Sequence, residues 1–253
     1  MIIALHGIGG SGENFSSSRM FEALAEREGF VAVYPTAAEG QWSYGKPLIR
    51  PMPVVGGVPV DDVGYLRQLI DHLIERKIAD PARVYVMGVS RGGMMAFTVA
   101  CALADRVAAV AALITPMSAY QRDDCKPARP IPIMVIAGTH DPSQPYDGVA
   151  WPLGRLMSIA ETMDVWRQQH GCTQRSGRML PHRDPADRTR VMRVEWDSCR
   201  GVSPLLYRIE GGGHQVPSIR AEANPMSVER FGPRNRDIEA SDEIWAFFKR
   251  FRL

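Results

Sequence analysis

The sequence lacks any apolar run close to the length of about 20 residues that a membrane-spanning helix requires. Met1 is followed at once by an apolar run at 2–5 that is typical of a β-strand and not of a signal peptide. A mature, a truncated and a cytoplasmic chain would all begin in this way. We therefore expect no membrane association, and the start of the sequence leaves the compartment open.

The sequence also lacks an excess of charge of one sign. Its 30 Lys and Arg residues face 28 Asp and Glu residues, which gives a formal net charge of +2. Proteins that bind a nucleic-acid backbone usually carry a basic stripe, and none is present. The densest basic stretch, 175–193, is interrupted by Asp184 and Asp187, so we predict a solvated loop there. Nucleic acid is accordingly not an expected partner.

Cysteine is scarce. The four residues are Cys101, Cys125, Cys172 and Cys199. No two of them have the short spacing of a zinc or redox motif, so we expect neither a metal nor another cofactor. The spacing alone leaves three complete pairings open.

What the sequence does contain is an ordinary globular composition, with 45% hydrophobic and 23% charged residues over 253 positions. We expect a single domain over 1–253. Apolar runs typical of strands alternate with amphipathic stretches typical of helices. The predicted strands lie at 2–5, 31–34, 83–87, 107–114, 131–137 and 204–209, and the predicted helices at 19–28, 61–77, 92–104, 155–170 and 237–251.

The run at 83–87 is almost continuously apolar after its first residue, as expected of a strand covered by helices on both faces of a parallel sheet. The pattern therefore predicts an α/β fold with a mostly parallel central sheet and helices on both faces. Two stretches rich in glycine and proline, 38–60 and 210–236, are predicted loops and candidate walls of a substrate site.

A nucleophile motif joins the central strand to the next helix. Gly88-Val89-Ser90-Arg91-Gly92 follows the strand directly and opens a helical run. A sharp strand-to-helix turn of this kind presents a serine hydroxyl above the sheet, and small flanking residues avoid clashes with the neighbouring backbone. Ser90 is therefore the predicted nucleophile of an α/β hydrolase.

A serine nucleophile needs a histidine base and an acid that orients it, and in this fold they follow the serine in the order acid, histidine. This order excludes His6, His72 and His140. Among the others, His170 ends a helical pattern and His182 lies in a polar stretch. Only His214 follows a strand through a glycine-rich turn, so it is the predicted base.

The acid should follow the strand at 131–137. Asp141 stands just past its end, whereas the competing Asp147 precedes a glycine in a sequence that ordinary turn chemistry explains. We predict Asp141.

The oxyanion of the tetrahedral intermediate requires fixed N–H donors. The turn after Ser90 supplies the backbone N–H of Arg91, and the glycine-rich loop after the first strand supplies that of Ile8. His6, at the end of this strand, is expected to be structural. The loop lacks both the dinucleotide-binding and the P-loop patterns, so nucleotide binding is not favoured.

With these residues placed, the sequence resembles the polyhydroxybutyrate depolymerase family of esterases, which includes feruloyl and acetyl xylan esterase-like members. The resemblance runs nearly end to end, through Leu5-His6-Gly7-Ile8-Gly9-Gly10-Ser11, Val60-Asp61-Asp62-Val63-Gly64, the stretch 83–96, Gly138-Thr139-His140-Asp141 with Pro145-Tyr146-Asp147-Gly148, Gly211-Gly212-Gly213-His214, and Ile244-Trp245-Ala246-Phe247-Phe248. It implies an ester hydrolase in which Ser90, Asp141 and His214 are the nucleophile, acid and base.

The resemblance also implies two disulfides, Cys172 with Cys199 and Cys101 with Cys125. It implies a secreted or periplasmic protein whose leader is absent, whereas a native start at Met1 implies a cytoplasmic one. Family members usually have strands ahead of the His-Gly loop, so we expect either a sheet trimmed at that edge or a removed leader.

The predicted function is that of a serine esterase acting on a small-molecule or polymer-linked ester. The alternatives are a feruloyl or acetyl xylan esterase or a polyhydroxybutyrate depolymerase specifically, then a peptidase, an acyltransferase or a non-catalytic binding protein. The family commonly has Thr-Trp after the histidine, and Gln215-Val216 here removes that aromatic surface, which weakens the case for a polymer or feruloyl substrate. The candidate substrate contacts are Trp42, Tyr146, Trp151, Gln215 and Val216. The sequence sets no oligomeric state.

Overall fold

A computed structural model describes residues 1–46, 48, 51–221 and 224–253. Its main sheet has eight strands. They are β1 (Ile2–Leu5), β2 (Ala32–Val33), β5 (Tyr85–Val89), β6 (Ala109–Leu113), β7 (Ile133–Gly138), β10 (Gln174–Met179), β11 (Arg190–Asp197) and β12 (Leu205–Glu210). Two small hairpins lie outside it, β3 (Val54–Val55) with β4 (Val58–Pro59) and β8 (Val149–Trp151) with β9 (Gly154–Leu156).

Helices connect the strands. They are α1 (Gly12–Ser16), α2 (Glu22–Glu28), α3 (Asp62–Glu75), α4 (Arg91–Ala102), α5 (Ala119–Asp124), α6 (Ile159–Gln169), α7 (Pro225–Phe231) and α8 (Ala240–Phe248). Several begin at a side-chain cap, which supplies an acceptor for the first free N–H groups. Asp61 caps α3, and Ser158 forms a reciprocal capping box with Glu161 at the start of α6.

The order of strands across the sheet is β10-β11-β12-β7-β6-β5-β1-β2. The pairs from β2 to β12 are parallel, and β12-β11 and β11-β10 are antiparallel. Because the parallel strands end at the same edge, the loops after β1, β5, β7 and β12 meet there. The predicted α/β architecture is confirmed. In the described residues β2 and β10 form the two edges of this sheet.

Two hydrophobic clusters fill the two faces of the sheet. On one face Ile3, Val86 and Val135 pack with residues of α3, α4 and α6. On the other, Ile2 and Met134 pack with residues of α2 and α8. Side chains alternate between the faces of a strand, so each central strand contributes to both clusters. This explains why the central strands are apolar throughout.

The loop predicted over 175–193 is wrong at both of its ends. Residues Gln174–Met179 form β10 and Arg190–Asp197 form β11, which extend the sheet beyond β12. All six residues of β10 are exposed, so this edge strand carries no apolar pattern that would identify it. The two predicted loops also contain regular elements, β3 and β4 within 38–60 and α7 within 210–236. Positions 47, 49, 50, 222 and 223 of these loops lie outside the described residues.

Both disulfides implied by the family resemblance are present. Cys101 is bonded to Cys125 and Cys172 to Cys199. The first joins the end of α4 to the residue after α5, and the second ties the turn after α6 to the end of β11. The two disulfides therefore link segments that are 24 and 27 residues apart in the sequence, respectively. Among the described residues, no helix is long and apolar enough to cross a bilayer.

Candidate active site

Ser90 lies at the sharp turn between β5 and α4. Its backbone has φ 56° and ψ −118°, a conformation that a residue with a side chain adopts only under local constraint. The constraint comes from close backbone packing: a Cβ on Gly92 would lie 2.2 Å from the carbonyl oxygen of Leu5, and one on Gly88 would lie 2.0 Å from that of Gly92. Only glycine fits at these two positions, and the turn therefore presents the Ser90 side chain at the sheet edge.

His214 lies within hydrogen-bond reach of Ser90. Its Nε2 is 3.0 Å from Ser90 Oγ, the geometry in which a neutral imidazole accepts the hydroxyl proton. The backbone N–H of His214 donates to the carbonyl of Phe231, and that of Gly213 donates to the carbonyl of Pro233. The end of α7 and the residues just after it therefore hold the histidine loop through its backbone.

Asp141 completes the chain of hydrogen bonds. His214 Nδ1 is 2.7 Å from Asp141 Oδ2, and Asp141 Oδ1 accepts the N–H groups of Ser143 and Gln144 at 2.8 and 2.7 Å. The Asp141 side chain is almost fully buried, with 2% exposed. A carboxylate fixed in this way favours the imidazole tautomer with a proton on Nδ1, which leaves Nε2 free to accept. The competing Asp147 is exposed.

The other two histidines that remained in the sequence argument have different partners. His170 Nε2 lies 3.0 Å from the carbonyl of Ile131, and its Nδ1 accepts the N–H of Val202. His182 Nδ1 lies 3.1 Å from the buried carboxylate of Asp237. Both are therefore occupied by contacts outside the Ser90 turn.

The loop after β1 passes beside Ser90. A Cβ on Gly7 would lie 3.6 Å from Ser90 Cβ, which places the Gly7-Ile8 peptide next to the nucleophile. Among the hydrogen bonds of the described residues, none uses the backbone N–H of Ile8 or Arg91 as a donor. Both predicted donors therefore lie in segments adjacent to Ser90, and neither N–H has a partner in the described residues.

This loop is supported by His6 and Trp42. His6 Nε2 accepts the N–H of Ala37 at 3.0 Å, and its Nδ1 therefore donates to the carbonyl of Gly7 at 2.7 Å. The Trp42 indole N–H donates to the carbonyl of His6 at 2.9 Å. Trp42 is fully buried, so its ring lies beneath the loop and presents no stacking surface to a substrate. We do not propose a substrate contact for it.

The remaining substrate candidates are half-buried. Tyr146 lines a cavity of about 320 Å³ with residues that include Met163 and Trp196, and no triad residue lines it. Trp151 belongs to β8 and packs against the core. In the histidine loop, the Gln215 amide donates to the carbonyl of Gly232, and Val216 lines a cavity of about 330 Å³ beside α1.

The sequence did not predict that Asp62 supports the loop containing Trp42. Asp61 is the cap of α3, which leaves the buried Asp62 carboxylate to accept the N–H of Ser43 at 2.6 Å. Burial raises the pKa of Asp62, and the hydrogen bond from Ser43 opposes that shift. The contact fixes the loop that carries Trp42 beneath the Ile8 loop. The pair of adjacent aspartates at the start of the predicted helix was the available sequence feature, and either residue could have been the cap.

The segment behind His214 is held by a second buried carboxylate. Asp237 accepts the N–H of Arg183 at 2.8 Å, and the buried Asn235 amide donates to Thr189 Oγ1 at 2.8 Å. These contacts fix the connection between β10 and β11 against the residues that follow α7. Since His182 contacts the same carboxylate of Asp237, it contributes to these contacts behind the His214 loop.

The chain matches the alpha/beta hydrolase family over residues 2–224. It belongs to this family. It is 27% identical to NocK of Nocardia uniformis subsp. tsuyamanensis, named as an inferred esterase, over 96% of this chain and 72% of that protein. It is 29% identical to feruloyl esterase B of Piromyces equi over 85% of this chain, but spans only 39% of that protein. The resemblance to feruloyl esterase-like proteins is confirmed.

A solved structure gives the same fold. The acetyl xylan esterase from Aspergillus awamori superimposes with a TM-score of 0.62 at 16% identity, covering 98% of this chain and 88% of that one. The family, the fold and the named relatives together support the predicted ester hydrolase. In the part of the chain that the structure describes, no three His, Cys, Asp or Glu side chains are grouped as a metal site.

Proposed function

We propose that this protein is a serine esterase that hydrolyses carboxylic esters through an acyl-enzyme at Ser90. The observation that carries the proposal is the unbroken line of hydrogen bonds from Asp141 through His214 to Ser90, at 2.7 and 3.0 Å, on a strained strand-to-helix turn. A serine hydroxyl is a weak nucleophile at neutral pH, and a positioned base of this kind is what activates it.

In the proposed reaction, Ser90 Oγ attacks the ester carbonyl carbon while its proton passes to His214 Nε2. The N–H groups of Ile8 and Arg91 bind the oxyanion that forms. Collapse of the intermediate breaks the bond to the alcohol oxygen, which takes the proton from His214. Water then gives a proton to His214 as it attacks the acyl carbon. The bond from that carbon to Ser90 Oγ breaks, and Oγ takes the proton back from His214, which releases the acid and restores Ser90.

The two N–H donors are held in place before substrate arrives. His6 and Trp42 fix the loop after β1, and close backbone packing fixes the turn between β5 and α4. Donors that need no reorganisation are worth about 3 kcal/mol each in the transition state.

The substrate is proposed to be a small-molecule or polymer-linked ester. The relatives named feruloyl esterase and acetylxylan esterase favour feruloyl or acetyl esters of carbohydrates as the first compounds to test. Gln215 and Val216 supply no aromatic ring and Trp42 is buried, so the ring next to the base is the half-buried one of Phe231, 6.2 Å from the His214 ring. Short acyl esters therefore belong in the same comparison.

Hydrolysis of p-nitrophenyl acetate by the wild-type chain and by Ser90→Ala tests the proposal. We expect turnover in the wild type and none above the uncatalysed rate in the variant, with unchanged far-UV circular dichroism. Equal turnover in both proteins would remove Ser90 from the mechanism. No turnover with any ester would favour a non-catalytic binding protein. Faster cleavage of p-nitroanilides, or transfer to an added alcohol, would favour a peptidase or an acyltransferase.

The acyl and alcohol groups are then compared by kcat/KM over feruloyl, acetyl-sugar, hydroxybutyrate and short-chain esters. The ratio of these values reports differential binding of the transition state and so identifies the preferred class.

A further inference from the structure

The Arg91 side chain is unusual for its position beside the nucleophile. Only 4% of the residue is exposed, and its Nη1 donates to the hydroxyl of Tyr44. The guanidinium carbon lies 5.3 Å from the centre of the Tyr44 ring. Since Arg91 follows Ser90 in the chain, its side chain begins at the nucleophile turn.

This buried cation has no anionic partner in the described part of the chain. None of the carboxylates there lies within the 4.0 Å limit of an ion pair with Arg91. The buried carboxylate near Tyr44, that of Asp62, accepts the N–H of Ser43 instead. Burying a charge without a counter-charge is costly, so a folded protein seldom keeps one that serves packing alone.

The guanidinium is not sealed in the core. The Tyr44 hydroxyl satisfies Nη1, and no side-chain hydrogen bond in the described residues uses Nε or Nη2 as donor. Neither atom is among the fully buried side-chain atoms without a partner. Nε and Nη2 therefore keep a small exposed surface, in agreement with the 4% exposure of the residue, and their N–H groups have no partner in the described residues.

The loop that carries Tyr44 is itself fastened to the loop of the predicted oxyanion donor Ile8. Gly9 donates its N–H to the carbonyl of Gly40, and Trp42 donates to the carbonyl of His6. The segment 37–44 is thus fastened to the loop of Ile8, and Arg91 lies between that segment and the nucleophile turn. A group bound by the guanidinium would belong to the molecule whose ester faces Ser90.

We propose that Arg91 determines specificity by binding a carboxylate carried by the ester substrate. A guanidinium presents parallel N–H groups that match the two oxygens of a carboxylate, and such charge-assisted pairs are stronger than neutral hydrogen bonds. The inference rests on the proposed esterase function and narrows its substrate to acidic esters. The carboxylate of such a substrate would supply the counter-charge that the Arg91 guanidinium lacks.

The test compares esters that carry a carboxylate with neutral esters of similar size and shape. For a carboxylate in the acyl part, the mono-p-nitrophenyl ester of glutaric acid is compared with p-nitrophenyl pentanoate. For one in the alcohol part, 4-acetoxybenzoate is compared with 4-acetoxybenzamide. The Ser90→Ala protein supplies the blank, because a neighbouring carboxylate can accelerate uncatalysed hydrolysis. The measured quantity is the ratio of kcat/KM for the acidic ester to that for its neutral partner.

We expect the wild type to prefer the acidic member of one pair, and the pair identifies the side of the ester that carries the charge. Arg91→Gln keeps the backbone N–H and side-chain donors but removes the charge, and should lower the ratio by about 100-fold. Arg91→Lys keeps the charge without the planar fork and should give an intermediate ratio. Arg27→Gln removes the same charge from an exposed position on α2 and should leave the ratio unchanged.

Two results would overturn the inference. One is a wild type that hydrolyses the neutral esters at least as well as both acidic ones. The other is an equal loss on acidic and neutral esters in Arg91→Gln, which would assign the side chain to loop anchoring or to the oxyanion. If Arg91→Gln does not fold, the wild-type preference and the Arg91→Lys ratio decide the matter. Failure of the esterase proposal is distinct, since no ester would then be hydrolysed above the Ser90→Ala blank.

Discussion

Replacing Asp141 with asparagine tests the proposed triad through the orientation of a single amide. In the structure, Asp141 Oδ1 accepts two backbone N–H groups and Oδ2 accepts one N–H from His214. An asparagine has one acceptor oxygen and one NH2 group. If the NH2 group faced Ser143 and Gln144, the buried N–H of Gln144 and the partly buried one of Ser143 would lose their acceptor, at about 1–3 kcal/mol for the buried one. The amide oxygen should therefore remain there.

The NH2 group of the asparagine then faces His214 Nδ1, which must become an acceptor. The imidazole proton moves to Nε2, and Nε2 can no longer take the proton of Ser90. A histidine held in the wrong tautomer lowers kcat by about 10⁴-fold, or about 5.4 kcal/mol of activation free energy. The fold should persist, because the substitution removes a buried charge and keeps the shape.

The assay is kcat for p-nitrophenyl acetate in Asp141→Asn, with Ser90→Ala as the blank and urea unfolding as the check on folding. Asp147→Asn is the matched control, because Asp147 is exposed and lies in the same loop. We expect that control to differ from the wild type by less than about twofold. A folded Asp141→Asn protein that kept more than about a tenth of wild-type kcat would refute the assignment of Asp141 as the orienting acid.

Three further predictions concern stability. Gly92→Ala places a Cβ 2.2 Å from a backbone oxygen and should lower the free energy of unfolding, measured in urea, by more than about 3 kcal/mol. In the control Gly177→Ala the nearest atom to the new Cβ is 3.7 Å away, and the free energy of unfolding should change by less than about 1 kcal/mol. Equal urea midpoints for the two variants would contradict this prediction. Burial lowers the pKa of His170 below its ordinary value of 6.5, so the unfolded chain binds a proton first as pH falls. The associated stability is present above pH 6.5 and decreases below it by up to about 1.4 kcal/mol per pH unit, and His170→Gln should flatten that slope in unfolding measured from pH 7.5 to 5.0. Reducing the Cys101–Cys125 disulfide, which spans 24 residues, should cost about 3.5 kcal/mol; four thiols that titrate in the unreduced protein would disprove both disulfides.

The nucleophile turn could be predicted because its cause is local. A buried parallel strand, a glycine-flanked serine and a helical run occupy consecutive positions, and their covalent connection forces the geometry. The choice of Asp141 and His214 needed one further step, since parallel strands end at the same edge of a sheet. The positions of β7 and β12 in the sequence were therefore enough to bring two distant loops together.

The features that could not be predicted depend on long-range contacts. The strand β10 is exposed at all six positions, so only its pairing with β11 defines it. Trp42 lies in a segment rich in glycine, which suggested exposure, yet its indole is buried against the carbonyl of His6, 36 residues away. Local sequence carries no information on which backbone carbonyl a tryptophan will reach.

The same distinction separates the proposed chemistry from the proposed specificity. Ser90, Asp141 and His214 lie at strand ends, where the sheet sets their geometry, and any ester that reaches Ser90 meets the same triad. The Arg91 side chain, by contrast, obtains its position from Tyr44 on a loop that is held by Asp62 and Trp42. A change in that loop would move the guanidinium without moving the triad. If the inference about Arg91 is correct, Tyr44→Phe should therefore alter the preference for acidic over neutral esters more than it alters turnover of the neutral ones.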